Sequence, residues 1–125
     1  NPMIKVFICS PFRAIGGNTE LDNVDLARRL CRAAALAGYV PWAPHIYATQ
    51  FLSDSLVQER QLGLDIGREM LAVCSEMWVY DQLGVSNGMR GDINQALAIG
   101  LPVIHLPVTI RDVPVKRPPD LAVAQ

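Results

Sequence analysis

The stretch VYDQLGVSNGMRGD, residues 79–92, is the part of the sequence that decides how the rest of the chain is arranged. Its apolar start is typical of a buried strand, its first glycine marks a loop, and its end has the pattern of a helix start. Ser86 or Asn87 can cap that helix, because a short side-chain oxygen accepts a hydrogen bond from an unpaired backbone amide. Such amides and the helix dipole favour a nearby anion. Asp92, about a turn further on, therefore places a carboxylate beside an anion-binding loop.

On either side of this stretch, short β-prone segments alternate with helical patterns. Strands are predicted at residues 4–9, 39–43, 76–80 and 103–106, and helices at residues 22–37, at residues 57–73 and from residue 87 onwards. This alternation predicts an α/β fold, with one doubly wound, flavodoxin-like or Rossmann-like domain and a parallel sheet of four to five strands. Pro41 makes the second strand an edge strand, since proline lacks the amide that a central strand needs. The predicted domain covers residues 3–106, and a proline-rich tail covers residues 107–125.

Composition narrows the class of protein. Half of the 125 residues are hydrophobic and 18% are charged, as in a globular domain. A net charge of -1 without long runs of one sign gives no support for a nucleic acid polymer or a membrane as partner. No apolar run approaches the ~18 residues of a membrane span, and no signal peptide is visible. The three cysteines lack a CxxC spacing, which favours reduced thiols. We therefore expect a cytoplasmic protein.

The second and third predicted helices carry apolar stripes. The positions expected to be buried are Leu62, Ile66, Met70 and Val73 on the second helix and Met89, Ile93, Ala96 and Leu97 on the third. Gly63 and Gly67 each cost about 1 kcal/mol against alanine within a helix, so they indicate close packing or a bend. Asp65 lies one turn before Glu69, so both can face one cleft. The alternative is that both face water or pair with Arg68.

The histidines and the segment between the second strand and the second helix leave two questions open. His45 follows the second strand beside the expected cleft. Whether its side chain contacts a ligand is left open by the sequence. Residues 46–56, which include Tyr47, form either a lid over the site or a packing segment. His105 is expected to be a hydrogen-bonded histidine inside a buried strand. The sequence contains no P-loop, no GxGxxG fingerprint and no HExxH motif, so we predict neither a cofactor nor a metal site.

Cleavage of a C–N glycosidic bond is one reaction that these residue types suit. Its transition state carries positive charge on the sugar, which a carboxylate can stabilise or attack. A donor to the leaving base, polar groups for the sugar hydroxyls and an aromatic slot complete such a site. The available side chains are Asp92, Ser10, Arg13, Ser86, Asn87, Tyr47, Trp42 and Phe12. Spacing alone does not single out this chemistry, because other loop-rich α/β domains carry similar sets.

Three motifs taken together resemble a known superfamily. They are ICSPFR at residues 8–13, APH at residues 43–45, and SxGMxxDxxxAxxxGxP at residues 86–102. In combination they are similar to the nucleoside 2-deoxyribosyltransferase superfamily, in particular to small phage and bacterial members of largely unassigned activity. The resemblance extends over about residues 4–106. It implies cleavage of a deoxynucleoside or deoxynucleoside 5'-monophosphate, by hydrolysis or base transfer, in a homodimer or larger homo-oligomer.

The resemblance also implies roles for individual residues. The superfamily's nucleophile is a glutamate four residues before a small residue, and Asp92 occupies that place before Ala96. In related 2'-deoxynucleoside 5'-phosphate N-hydrolases a serine six residues before the nucleophile contacts the phosphate, as Ser86 would here. The predicted substrate-binding residues are Ser10, Pro11, Phe12, Arg13, His45, Tyr47, Asp65, Ser86, Asn87, Gly88 and Met89. Because aspartate is one methylene shorter than glutamate, the alternative is a nucleotide-binding or sensing protein without turnover.

Overall fold

The computed structural model describes residues 3–106, and the predicted proline-rich tail at residues 107–125 lies outside the described residues. The described chain alternates strands and helices. In order they are β1 (Lys5–Cys9), α1 (Glu20–Leu36), β2 (Val40–Trp42), α2 (Val57–Val73), β3 (Glu76–Val79), α3 (Asn87–Ala98) and β4 (Val103–His105). Two short 3-10 turns, Pro44–Ile46 and Ala48–Gln50, follow β2.

The strands form one parallel sheet in the order β2-β1-β3-β4. This arrangement confirms the predicted α/β fold with a doubly wound parallel sheet, and the sheet has four strands in the described part of the chain. Pro41 lies in β2 at one edge of the sheet, as its missing amide requires. Both central strands are buried along nearly their whole length, which is why their sequences are continuous apolar runs.

The helices cover both faces of the sheet. Val6 and Ile8 of β1 pack with α1 on one face, while Phe7 and Cys9 pack with α2 and α3 on the other face. The two sets alternate because successive side chains of a strand point to opposite faces. Within residues 3–106 the result is a three-layer arrangement, with α1 on one side of the sheet and α2 and α3 on the other.

Helix α1 begins two residues earlier than the sequence predicts. Thr19 caps it through a reciprocal pair of hydrogen bonds: its Oγ1 accepts from the Asp22 amide at 3.1 Å, and the Asp22 carboxylate accepts from the Thr19 amide at 2.8 Å. This capping box satisfies amides that the first helical turn would otherwise leave unpaired. Gly38, with φ of 94°, follows the helix in a left-handed conformation that glycine adopts without strain.

The predicted buried stripe of α2 is partly wrong, although its predicted bounds are confirmed. Leu62 and Val73 are exposed, whereas Ile66 and Met70 are half-buried. The fully buried residue of α2 is Leu71, which the predicted stripe did not include. The helix carries apolar residues on more than one face, so periodicity could not select the face that packs. Leu71, near the C-terminal end of α2, belongs to the same core cluster as Met77 and Val79 of β3.

Two smaller predictions about the third helix and the last strand are also corrected. Leu97 is exposed, whereas Met89 and Ala96 are buried as predicted. His105 lies on the edge strand β4 and is exposed, so it is not a core histidine. Its Nδ1 lies 2.8 Å from the Asp81 carboxylate, which gives it the predicted hydrogen bond at the surface.

Candidate functional site

The site lies where the winding of the sheet reverses. From β1 the chain passes to β2 on one side, then crosses back to β3 on the other, so the C-terminal ends of β1 and β3 are adjacent. Open α/β sheets bind ligands at such a switch point. A cleft of about 380 Å³ opens there. Its walls come from the loop after β1, the segment after β2, one face of α2 and the start of α3.

Asp92 is the carboxylate at the centre of this arrangement. It lies in the first half of α3, lines the cleft and is half-buried. Its carboxylate makes no hydrogen bond or ion pair with any residue of the described range 3–106. Burial raises the pKa of the Asp92 carboxyl from 3.8 to about 6, against an opposing effect of the Arg68 charge. The carboxylate is therefore ionised at neutral pH and free to contact a ligand.

The first turn of α3 lines the cleft at the residues where the sequence predicts an anion-binding loop. Ser86 is the cap, and its Oγ accepts from the Met89 amide at 3.2 Å. The amides of Asn87 and Gly88 belong to the first turn, where no intrahelical acceptor is available, and both residues line the cleft. The buried Cys9 thiol donates to the Met89 carbonyl at 3.7 Å, which ties this turn to the end of β1.

Cys9 is itself a structural thiol rather than a nucleophile. Its pKa is raised by burial, and further by the charges of Asp92 and Asp81. A thiol whose pKa lies above its usual range carries almost no thiolate at neutral pH, and thiolate is the reactive form. Among the described residues, no three His, Cys, Asp or Glu side chains are grouped as a metal site would require.

The loop after β1 contributes Phe12 and Arg13 to the cleft. Buried Asn23 of α1 holds this loop, because its Nδ2 donates to the carbonyls of Phe12 at 3.2 Å and Arg13 at 2.9 Å. The exposed Arg13 guanidinium pairs with the Asp54 carboxylate at 2.6 Å. That ion pair links the first loop to the segment before α2 at the edge of the cleft.

His45 fixes the other side of the first loop. Its Nε2 lies 2.8 Å from the Ser10 carbonyl, and since a carbonyl only accepts, Nε2 carries the proton. Its ring stacks on Phe12 with centroids 5.1 Å apart. Burial lowers the pKa of His45, although the Ser10 carbonyl and the Asp54 charge oppose this effect. His45 is thus a neutral side chain that lines the cleft and supports Phe12.

The structure brings together eight of the predicted site residues and leaves four outside the cleft lining. Those in the lining are Phe12, Arg13, His45, Ser86, Asn87, Gly88, Met89 and Asp92. Ser10 and Pro11 are buried beneath the loop, and the Ser10 Oγ has no partner within residues 3–106. Tyr47 is half-exposed and packs between the rings of Trp42 and Phe51. Asp65 is exposed and accepts a hydrogen bond from Gln61.

The sequence reasoning missed the face of α2 that lines the cleft. It consists of Arg60, Gly63, Leu64 and Gly67. These residues follow the i, i+3, i+4, i+7 spacing of one helical face, so the two glycines already marked that face in the sequence. Neither of the two expected roles, a lid or a packing segment, describes the whole of residues 46–56. Part of the segment lines the cleft, namely Ala48, Thr49, Leu52 and Asp54, whereas Gln50 and Phe51 are exposed.

The sequence of the chain also shows the family to which it belongs. Residues 4–106 match the family described as Domain of unknown function (DUF7768). The chain belongs to this family. No curated protein of known sequence matches it. The family description assigns no activity.

Among solved structures, the chain is similar to a 2-deoxyribosyltransferase from the psychrotolerant bacterium Bacillus psychrosaccharolyticus. The TM-score is 0.63 and the sequence identity is 16%, and the match covers 82% of this chain and 71% of that one. At this identity the likeness shows a shared fold. The resemblance predicted from the three sequence motifs is therefore supported at the level of the fold. Within residues 3–106, no helix has the length and apolar character that crossing a bilayer requires.

Proposed function

We propose that this protein cleaves the N-glycosidic bond of a deoxynucleoside or deoxynucleoside 5'-monophosphate, with Asp92 as the nucleophile. The observation that carries the proposal is the Asp92 carboxylate, which lines the cleft without a hydrogen bond or ion pair to any residue between 3 and 106. The solved 2-deoxyribosyltransferase with the same fold supports this class of substrate. A buried carboxylate with a raised pKa is typical of catalytic positions.

The reaction proceeds in two steps. An Asp92 carboxylate oxygen bonds to the anomeric carbon of the sugar, and the carbon–nitrogen bond breaks with its electron pair leaving on the base. The base takes up a proton from the solvent as it leaves. Water, or a second base, then attacks the same carbon, gives up a proton to the solvent and releases the carboxylate. Water gives hydrolysis and a second base gives transfer.

The start of α3 favours a substrate with a 5'-phosphate. Ser86 and the amides of Asn87 and Gly88 line the cleft on the same helix as Asp92. Free amides at a helix N-terminus bind phosphate through hydrogen bonds and the helix dipole. A monophosphate bound there would lie within about two turns of α3 from the nucleophile, which suits the length of a nucleotide sugar.

A second candidate is binding or sensing of the same ligands without turnover. Its support is the length of the Asp92 side chain, which is one methylene shorter than the glutamate of the superfamily that the motifs resemble. A misplacement of about 1 Å in a reacting group can lower a rate on the order of a hundredfold. The proposed homodimer or larger homo-oligomer is common to both candidates and stays a prediction.

A single assay separates the two candidates. The protein is incubated with a panel of deoxynucleosides and their 5'-monophosphates, with and without a second base, and free base is measured by chromatography. We expect release by the wild type and a loss of at least about a hundredfold in Asp92→Asn, since removing a nucleophile removes the covalent route. Asp25→Asn, an exposed acid on α1, is the matched control. Calorimetric binding without release would establish the sensor instead, and the absence of both would overturn both candidates.

A further inference from the structure

Gly67 of α2 occupies a position that the packing of the protein does not require to be glycine. A Cβ built on Gly67 would meet no atom within 4 Å, and one on Gly63 would meet Ala48 and Leu52 only at 3.8 and 3.9 Å, which are ordinary contacts. Helix α2 is continuous from Val57 to Val73. Neither close packing nor a break in the helix therefore accounts for this glycine.

The open space beside Gly67 belongs to the cleft. Gly63 and Gly67 both line it, and they are four residues apart on one face of the helix. Because neither has a side chain, the backbone of α2 is exposed to the cleft at these two positions, beside the side chain of Leu64. Glycine within a helix is unfavourable relative to alanine, so two of them on the cleft face indicate a requirement for space that folding alone does not impose.

The exposed backbone of α2 and the proposed nucleophile border the same cleft. Asp92 lines the same cleft as Gly67. The charge of Arg68, the next residue along α2, acts on the Asp92 carboxyl against the effect of burial. The Asp92 carboxylate and the backbone exposed at Gly67 therefore border one cleft.

We propose that Gly67, together with Gly63, determines which base the protein accepts, because the flat face of the base lies against the exposed backbone of α2. The inference rests on the proposed function: the base is bonded to the carbon that Asp92 attacks, so it must occupy space beside that carboxylate. Leu64 on α2 and Phe12 on the first loop line the cleft around the same space and supply apolar contacts for a ring. A side chain at position 67 would occupy the volume of the base.

The test introduces side chains at position 67 that are compatible with the helix but occupy space in the cleft. Gly67→Ala and Gly67→Leu are compared with Gly91→Ala, a glycine of α3 that lies outside the cleft lining and whose Cβ would also meet no atom within 4 Å. Binding of purine and pyrimidine deoxynucleosides and their 5'-monophosphates is measured by calorimetry, base release by chromatography, and the melting temperature by calorimetric scanning.

All three variants should melt at or above the wild-type temperature, because alanine and leucine favour a helix more than glycine does. Gly67→Ala should weaken binding severalfold and Gly67→Leu at least about tenfold, since filling a fitted space is strongly unfavourable. The loss of affinity should be larger for purines, because their second ring would cover more of the exposed helix backbone. Gly91→Ala should bind as the wild type does.

The outcomes separate this inference from the proposed function. Wild-type base release that both Gly67 variants retain, with unchanged preference among bases, overturns the inference and leaves the function standing. Binding without release overturns the proposed enzyme, while the affinities of the Gly67 variants still decide the inference. A wild type that binds no member of the panel overturns both. A Gly67→Leu variant that melts well below the wild type overturns the claim that packing leaves this position free.

Discussion

The two faces of the sheet are built differently, and the difference divides the molecule into a supporting side and a side that borders the cleft. Helix α1 is capped by Thr19 and buries five of its residues, four of them in the core with β1 and the fifth, Asn23, against the first loop. Helix α2 has the same length of 17 residues, but Leu56 gives it no side-chain cap and it buries one residue, Leu71. The helix that borders the cleft thus contributes less to the core, which is expected where space is kept for a ligand.

The largest effect expected from this comparison is on stability. Leu30→Ala in α1 removes a fully buried side chain and should lower the free energy of unfolding by about 2–5 kcal/mol, because it loses apolar contacts and leaves a cavity. Leu62→Ala on α2 removes a side chain that is 53% exposed and should change it by no more than about 0.5 kcal/mol. Urea unfolding of both variants measures the difference. Equal losses would show that α2 packs more tightly than its exposure indicates.

The next effect is the pH dependence that Asp92 imposes. Because burial raises the pKa of this carboxyl in the folded protein from 3.8 to about 6, the folded state holds a proton that the unfolded state has released between these two pH values. The stability contributed by the protonated group is therefore present below pH 3.8 and is lost as the pH rises to about 6.

Asp92→Asn removes this loss of stability at rising pH, because an amide does not ionise. At pH 7 the variant should exceed the wild type in stability by up to about 3 kcal/mol, since one pKa unit corresponds to about 1.4 kcal/mol. At pH 3 the two proteins should be similar, and denaturant unfolding at both pH values gives the comparison. Base release by the wild type should rise with pH through about 6, as the nucleophile ionises. A stability difference that is the same at both pH values would contradict this account.

The smallest expected effect concerns the helix caps. Thr19→Ala removes the capping box of α1 and should lower stability by about 1 kcal/mol. Leu56→Asp gives α2 the cap that it lacks, at a residue that is 51% exposed and already in the extended conformation of a cap, and should raise stability by about 0.5–1 kcal/mol. Thermal unfolding of both variants measures these opposite changes. A fall in stability for Leu56→Asp would mean that the apolar side chain matters more than the cap.

The side that borders the cleft was only partly predictable. Ser86 as cap and Phe12 and Arg13 in the cleft could be predicted, because a cap and a loop after a strand are local features of sequence. The position of Asp65 could not, because whether a helical residue faces a cleft or water depends on how the helix is rotated against the sheet. Tyr47 likewise packs with two neighbouring rings instead of facing the cleft.

The sequence alone determined the order of strands and helices, the edge position of β2 through Pro41, and the capped start of α3, since each depends on periodicity or on the chemistry of a few neighbouring residues. Only the tertiary structure decided that Leu71 is the buried residue of α2, that His105 is exposed, and that Gly63 and Gly67 face Asp92's cleft. Burial is set by surfaces that distant parts of the chain bring together, and a helix with apolar residues on several faces does not specify which of them will be covered.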